Sequence, residues 1–527
     1  MPEFFMATNT LTQVEPSRFE AWLADESLAR LGSFVLVDGG GSRVLALINR
    51  SRTDGDGFRV GLLPLGEIDE SGRFHRGVRH YPAPGAGIHR VADDQIGPMF
   101  AAYSAFQFEI GEVSNRPGQP VFLNPSALFG RSFTILGQSG SGKSWTVASL
   151  LQQAVAVMPK AHIILLDLHG EYCWRDEQGE LHSAFAEGTY RYVDARALEI
   201  PYWLMTYSEL IDLLIDRDDS SASIQMAFLR ETLHNLKKKE AERLEIGFVS
   251  IDAPIWFSIE EVYREFKAAN ELRTDFGKTK GPLFGQFDEF LVKLQSRLND
   301  VRYDFLLKPR RRTSSESLAK LLRDFVGLGD PKCQITVIDL SSVPFDVRPA
   351  VSAQIGRLAF EFNYWNPKRR EFPLLLVCEE AHAYIPRSGS SRYEGTRRSM
   401  ERIAKEGRKY GVGLGVISQR PHELSETVLS QCGTFICLRL TNPDDQAYVR
   451  DLVPDAESDL VDVLSALGRG EAMIMGEAIS LPTRVRIRRP QPRPHSQDVN
   501  YHAAWREGPE DLNVEAIAQR WQRQGRY

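Results

Sequence analysis

Residues 132–157 read SFTILGQSGSGKSWTVASLLQQAVAV, and the fold follows from how this stretch divides. SFTIL is a run of β-forming residues without regular polar alternation, the pattern of a strand covered on both faces. It leads into residues 137–144, GQSGSGKS, which fit the spacing G-x-x-x-x-G-K-[ST]. KSWTVASLLQQAVAV then continues as a helix. Gly137, Gly140, Ser141 and Gly142 form a turn tight enough for successive N–H groups to converge on an anion, and the helix N-terminus adds its positive dipole end. In such a turn Lys143 reaches the β- and γ-phosphates and Ser144 offers its hydroxyl to Mg²⁺. The plainer alternative is a Gly/Ser turn that merely starts a helix; the strand before it and the helix after it argue for nucleotide. ATP and Mg²⁺ are therefore the expected ligands.

Outward from this stretch the same grammar repeats. HIILLDL (162–168), ITVIDL (335–340), PLLLVCE (373–379), GVGLGVIS (411–418) and TFICLRL (434–440) alternate with helical segments, which predicts an α/β fold with a parallel sheet covered on both faces. Ligands of such sheets sit at the carboxyl ends of the strands. The strand 374–378 ends in Glu379 and Glu380, suited respectively to the Mg²⁺ shell and to polarising an attacking water. Glu379 is one methylene longer than aspartate, which implies a metal contact partly through water. Strand-end acids that serve a following helix dipole are the alternative. Asp167 in LLDLHGEY, and Ser418 and Gln419 in SQRP, end neighbouring strands. The Gln419 amide suits sensing a γ-phosphate or satisfying a buried loop, and both readings stand. His169 and Glu171 either pair across the nucleotide or cap a turn. His162 and His382 have no metal-ligand spacing with other His or Cys, so core or supporting roles are expected. The segment 394–411, EGTRRSMERIAKEGRKYG, predicts a helix stopped by Gly411. Arg408 in its last turn either offsets the helix dipole or reaches a neighbour's nucleotide as an arginine finger, and spacing leaves both open.

Five segments follow. Residues 1–115 are rich in short β-runs punctuated by glycine, such as SFVLVDGGGSRVLALINR with a hairpin at 38–41, FRVGLLPLGEI and AFQFEIGEV, which predict a small β-barrel or sandwich. The first five positions carry no fold argument. Residues 116–200 and 331–490 are the two parts of the ATPase core, the second ending in a hairpin, EAMIMGEAISLPTRVRIRR. Residues 201–330 read as a charge-rich helical insertion with basic clusters at 237–239, at Lys278 with Lys280, and at 310–312. Residues 491–527 form a tail held off by prolines. With 527 residues, 42% hydrophobic and 25% charged, the chain is globular in composition. Lys plus Arg is 64 against 70 Asp plus Glu, a net charge of −6, so any polyanion is held locally rather than by a generally basic surface. Five scattered cysteines without a CxxC pair argue against a metal knuckle or a disulfide framework. The apolar runs are too short for a membrane span and no apolar signal core opens the chain, so a cytoplasmic protein is expected.

The wording GQSGSGKS, then DLHGEY, LLLVCEEAH, EGRKYGVGLGVISQRP and LSQCGTFICLRLTNPDD, in this order from about 122 to 489, resembles the HerA family of DNA-translocating ATPases within the HerA/FtsK group. The resemblance implies RecA-like domains in a homo-hexameric ring, a small N-terminal barrel, ATP at subunit interfaces, and double-stranded DNA in the central channel. It assigns phosphate and metal to Lys143 and Ser144, and the acidic motif to Glu379 and Glu380. It makes Arg408 a finger acting in trans and Arg131 a second nucleotide-site arginine, and it has the C-terminal tail brace the adjacent subunit. The insertion has no wording that matches closely. The basic loop RSGSSRYEGTRR (387–398) offers Arg387, Arg392, Arg397 and Arg398 as DNA contacts, or is simply solvated. The function expected is an ATP-driven duplex-DNA motor with an effector docked on its barrel face. That effector is a NurA-type or other nuclease, or a sirtuin-type NADase, in DNA end processing or anti-phage defence. The competing expectation is a nucleotide-gated scaffold that activates an effector with little translocation. A transporter ATPase is disfavoured because no LSGGQ-type signature follows.

Overall fold

The N-terminal strands β1 (Thr10–Glu15), β2 (Arg18–Leu23), β3 (Phe34–Gly39), β4 (Ser42–Asp54), β5 (Gly57–Ile68), β6 (Phe74–Arg76) and β7 (Ile88–Arg90) form an antiparallel sheet of order β1-β2-β5-β4-β3-β7, with β6 on β5. Just ahead of β7 the chain returns to β1, where Leu11 N donates to Ala86 O (3.0 Å) and Gly85 N to Leu11 O (2.7 Å). The sheet thus curls onto itself around Phe19, Val35, Val44 and Leu62, which leaves little edge exposed. In this computed structural model the described residues are 9–176, 178–274, 279–387, 394–496 and 499–522; Arg392 and Lys278 lie outside them.

The remaining strands are β8 (Glu109–Val113), β9 (Pro120–Phe122), β10 (Ser132–Leu136), β11 (Ile163–Asp167), the hairpin β12 (Cys173–Arg175) and β13 (Leu181–Ser183), β14 (Tyr190–Asp194), a small ribbon of β15 (Arg273–Thr274) and β16 (Thr279–Lys280), β17 (Ile335–Asp339), β18 (Leu374–Cys378), β19 (Val412–Ser418), β20 (Cys432–Cys437), β21 (Glu471–Gly476) and β22 (Thr483–Ile487). Apart from that hairpin and that ribbon, each a separate two-stranded sheet, they build one sheet of order β14-β17-β11-β18-β19-β10-β20-β21-β22-β8-β9. From β14 to β20 every pairing is parallel, and from β20 to β9 every pairing is antiparallel. All residues of β10, β11, β17, β18 and β19 are buried, which is why each reads as an unbroken apolar run.

Two segments depart from the sequence expectation. AFQFEIGEV, grouped with the barrel by its pattern, supplies β8 to the core sheet, where Val113 pairs with Val485. An antiparallel strand near a sheet edge has the same half-covered alternation as a barrel strand, so pattern alone cannot separate them. YRYVD (190–194) forms the parallel edge strand β14, but its residues are all half-buried, and no apolar run announces it.

Helix α1 (Lys143–Val157) follows β10. Between β14 and β17 the insertion is mainly helical: α2 (Tyr207–Leu214), α3 (Ala222–Arg243), α4 (Ile259–Glu271), α5 (Asp288–Asn299) and α6 (Ser317–Phe325). Thr206 and Glu209 cap α2 reciprocally, Glu209 N to Thr206 Oγ1 (3.2 Å) and Thr206 N to Glu209 Oε2 (2.8 Å). Phe266 stacks on Phe290 at 3.9 Å in the centre of the insertion, and Glu209 pairs with Arg357 (3.1 Å) on α7 (Arg348–Trp365) to hold it on the core. Helix α8 (Glu394–Tyr410) leads into β19. Beyond β22 the tail ends in α9 (Tyr501–Glu507) and α10 (Val514–Gln522), which bury no residue; Trp505 is 83% exposed. No described helix is long and apolar enough to cross a membrane.

Candidate nucleotide site

The turn after β10 is pinned to both neighbouring strands. Gly137 N donates to Ser418 O (3.2 Å) at the end of β19, and Gln138 N to Arg439 O (2.9 Å) beyond β20. Ser141 closes the turn through its Oγ on Gln138 O (2.7 Å). Gly140 (φ 74°) and Gly142 (φ 110°) take left-handed backbone that side chains resist by about 1–2 kcal/mol. Lys143, buried at the start of α1, has its Nζ 3.9 Å from Glu380 Oε1, and Ser144 follows in the same turn.

Glu379 and Glu380 continue β18 toward that lysine. Glu379 is 2% exposed; its Oε1 accepts the Tyr172 hydroxyl (2.8 Å) and its Oε2 has no hydrogen-bond partner. Burial, reinforced by the Asp167 and Glu171 carboxylates, pushes its pKa well above the usual carboxylate range. Glu380 sits at φ 45°, ψ 45°, a left-handed conformation costing a non-glycine residue about 1–2 kcal/mol. Its Oε2, also without a hydrogen bond, lies 3.3 Å from His382 Nδ1. His382 Nδ1 is in turn 3.2 Å from Ser418 Oγ, and burial lowers the His382 pKa, which favours the neutral ring.

Asp167, at the end of β11, accepts the backbone N–H groups of His169 (3.3 Å), Gly170 (2.8 Å), Glu171 (3.1 Å) and Tyr172 (2.9 Å). Its pKa is nonetheless pushed up to about 7, by burial first; the Tyr172 N–H opposes this and the Asp339 carboxylate adds to it. Buried carboxylate oxygens without a hydrogen bond, here Glu171 Oε2, Glu379 Oε2 and Glu380 Oε2, are what a cation or an ordered water would satisfy. With the glycine turn, Lys143 and Ser144, the residues present fit Mg²⁺–ATP: Ser144 and Glu379 would hold the metal, and the turn and Lys143 the phosphates.

Gln419 follows β19 and lines a cleft of about 370 Å³ with Gln138, Ser139, His422, Asn442 and Asp445. The carboxyl edge therefore gathers Gly137, Gly140, Ser141, Gly142, Lys143, Ser144, Glu379, Glu380 and Gln419. Arg131 and Arg408 lie on the opposite edge. Arg131 precedes β10 and pairs with Glu477 (2.5 Å). Arg408 is exposed on the last turn of α8, at the mouth of an apolar cleft of about 300 Å³ lined by Phe129, Met158, His162 and Leu374. The five residues of β10 span about 17 Å, so neither arginine reaches the phosphate turn of its own chain. Arg397 and Arg398 both pair with Glu394 (2.7 and 2.9 Å), and Arg387 stacks on Tyr448 (4.8 Å) with Glu426 nearby at 3.7 Å. The proposed DNA contacts that are described thus already have partners within the chain.

His169 and Glu171 act as turn N–H donors to Asp167, while the link from Tyr172 to Glu379 escaped the sequence reading. The available signal was the tyrosine of HGEY itself, because a buried phenol needs an acceptor.

A model of the helicase HerA central domain matches residues 108–358, and one of the HerA-like C-terminal domain matches 373–497. The chain belongs to the HerA helicase family. The first match runs through the helical insertion, where the sequence offered no familiar wording. The chain is 28% identical over 447 residues to a DNA double-strand break repair helicase HerA of Sulfolobus acidocaldarius, covering 84% of this chain and 80% of that protein. It is 29% identical over 434 residues to the one of Pyrococcus furiosus, covering 76% and 73%. Among solved structures, VirB4 of Thermoanaerobacter pseudethanolicus superposes with a TM-score of 0.47 at 16% identity, over 72% of this chain and 96% of that one. HerA membership, with the nucleotide edge just described, makes the chain an ATP-hydrolysing enzyme of the helicase and DNA-translocase class.

Proposed function

We propose that this HerA-family chain is an ATP-driven motor that moves double-stranded DNA through a ring of six copies, each nucleotide being shared between neighbours. The observation that supports this reading is the division of the site between two edges of one sheet. Lys143 faces Glu380 at 3.9 Å on one edge, while Arg408 stands exposed on the other, out of reach of that lysine's phosphate. In the assembled ring, Glu380 takes up the proton of the attacking water, Gln419 senses the γ-phosphate, and Arg408, with Arg131 beside it, stabilises charge on the neighbour's phosphate. Ser144 and Glu379 would hold Mg²⁺, which would supply charge neutralisation at the phosphates. The C-terminal helices, none of whose residues is buried, brace the next subunit. The ring works in the cytoplasm with a separately encoded nuclease or NADase on its barrel face, in DNA end processing or defence.

The test is ATP turnover measured with and without duplex DNA over a range of salt. A motor shows stimulation by duplex that declines steeply as salt rises. Turnover indifferent to DNA but raised by an effector protein would contradict the motor and favour a nucleotide-gated scaffold.

A further inference from the structure

After β22 the chain runs back across α1 as a strap. Gln152 on α1 holds it twice: Gln152 Nε2 donates to Pro492 O (2.8 Å), and Gln491 N donates to Gln152 Oε1 (2.9 Å). Arg493 lies over the Trp145 ring at 5.6 Å. His495 then crosses to the loop after β11, where its N–H donates to Glu171 O (2.7 Å) and its ring stacks on Trp174 at 5.0 Å. The strap therefore joins the helix that carries Lys143 and Ser144 to the loop 168–172. That loop ends in Tyr172, whose side chain is fully buried, stacks on Phe185 at 6.2 Å, and donates its hydroxyl to Glu379 Oε1.

We propose that Tyr172 is the positioning residue of the metal-binding carboxylate Glu379, and that residues 490–495 hold the loop 168–172 in place for it. The proposal rests on the nucleotide reading above. A glutamate side chain ends in a soft torsion, so one hydrogen bond on Oε1 fixes the direction of Oε2. The partnerless oxygen is then the one presented to the metal. Asp167 contributes indirectly, since the N–H groups it binds set the loop on which Tyr172 is carried. Hydrogen-bond partners of metal ligands characteristically govern metal affinity by about 10- to 100-fold.

The experiment measures Mn²⁺ binding by electron paramagnetic resonance on the full chain saturated with a non-hydrolysable ATP analogue, beside binding of that analogue in EDTA. Tyr172→Phe, which keeps the ring, should bind the analogue without metal as wild type does and melt at nearly the wild-type temperature. It should lose about 10-fold in Mn²⁺ affinity and need correspondingly more Mg²⁺ for half-maximal ATPase. Trp174→Ala and His495→Ala should each weaken Mn²⁺ binding, and add little in the Tyr172→Phe background because all act through one carboxylate. Wild-type Mn²⁺ affinity in Tyr172→Phe would overturn the positioning role, and fully additive losses would overturn the strap's part in it. If the wild-type chain bound no analogue at all, the nucleotide reading itself would fall, a result distinct from either.

Discussion

Glu380 holds a left-handed backbone conformation unusual for its residue type, and in return its carboxylate faces Lys143 rather than following the strand. Strain kept at such a position belongs to function more often than to packing. Glu380→Gln is therefore expected to bind ATP but lose about 10²- to 10⁴-fold in turnover, measured by phosphate release alongside nucleotide binding. Lys143→Ala should lose ATP binding or turnover altogether, and full ATPase activity in that variant would remove the site. These two residues, with Ser144 and Glu379, were legible in the sequence because a glycine turn and a strand end fix them by local spacing. How Tyr172, His382 and Ser418 meet around them was not. Their contacts with the acidic motif join ends of β11, β18 and β19, which only the sheet order brings together.

At the scale of elements, strands buried on both faces announced themselves, whereas β8 and β14 are read only once their partners are known. Leu376, fully buried in the middle of β18, shows what those strands contribute: Leu376→Ala should cost about 2–5 kcal/mol of core stability, read from urea denaturation. The insertion carries a different kind of burial. Lys237 on α3 is fully buried, donates to Ile251 O (2.6 Å) and Ala253 O (2.8 Å), and has its pKa lowered from 10.5 to about 8, chiefly by desolvation. Between those values the folded state binds fewer protons than the unfolded one, so stability rises with pH across that window. Hydrogen exchange in α3 should therefore become more protected, after correction for intrinsic rates, from pH 8 to pH 10. Lys237→Met should remove that trend, and an unchanged trend would contradict the assignment.

As a whole, the molecule places the phosphate turn and the acidic motif at one edge of the parallel strands and Arg408 at the other. The alternation of apolar strands and helices made the sheet legible. In the structure Arg408 and the phosphate turn lie on opposite edges because helix α8 ends where β19 begins, whereas the turn follows the end of β10. A net charge of −6 fits the same picture, with phosphate gripped at one local turn instead of over the whole surface. The most direct test mixes two inactive variants. Arg408→Ala keeps its own phosphate turn and acidic motif but lacks the donated guanidinium; Glu380→Gln has the reverse defect. If sites are shared between copies, ATP turnover should reappear on mixing and peak near equal proportions, where sites pairing an intact Glu380 with an intact Arg408 are commonest. Absence of rescue at every ratio, or full turnover by Arg408→Ala alone, would contradict the shared site.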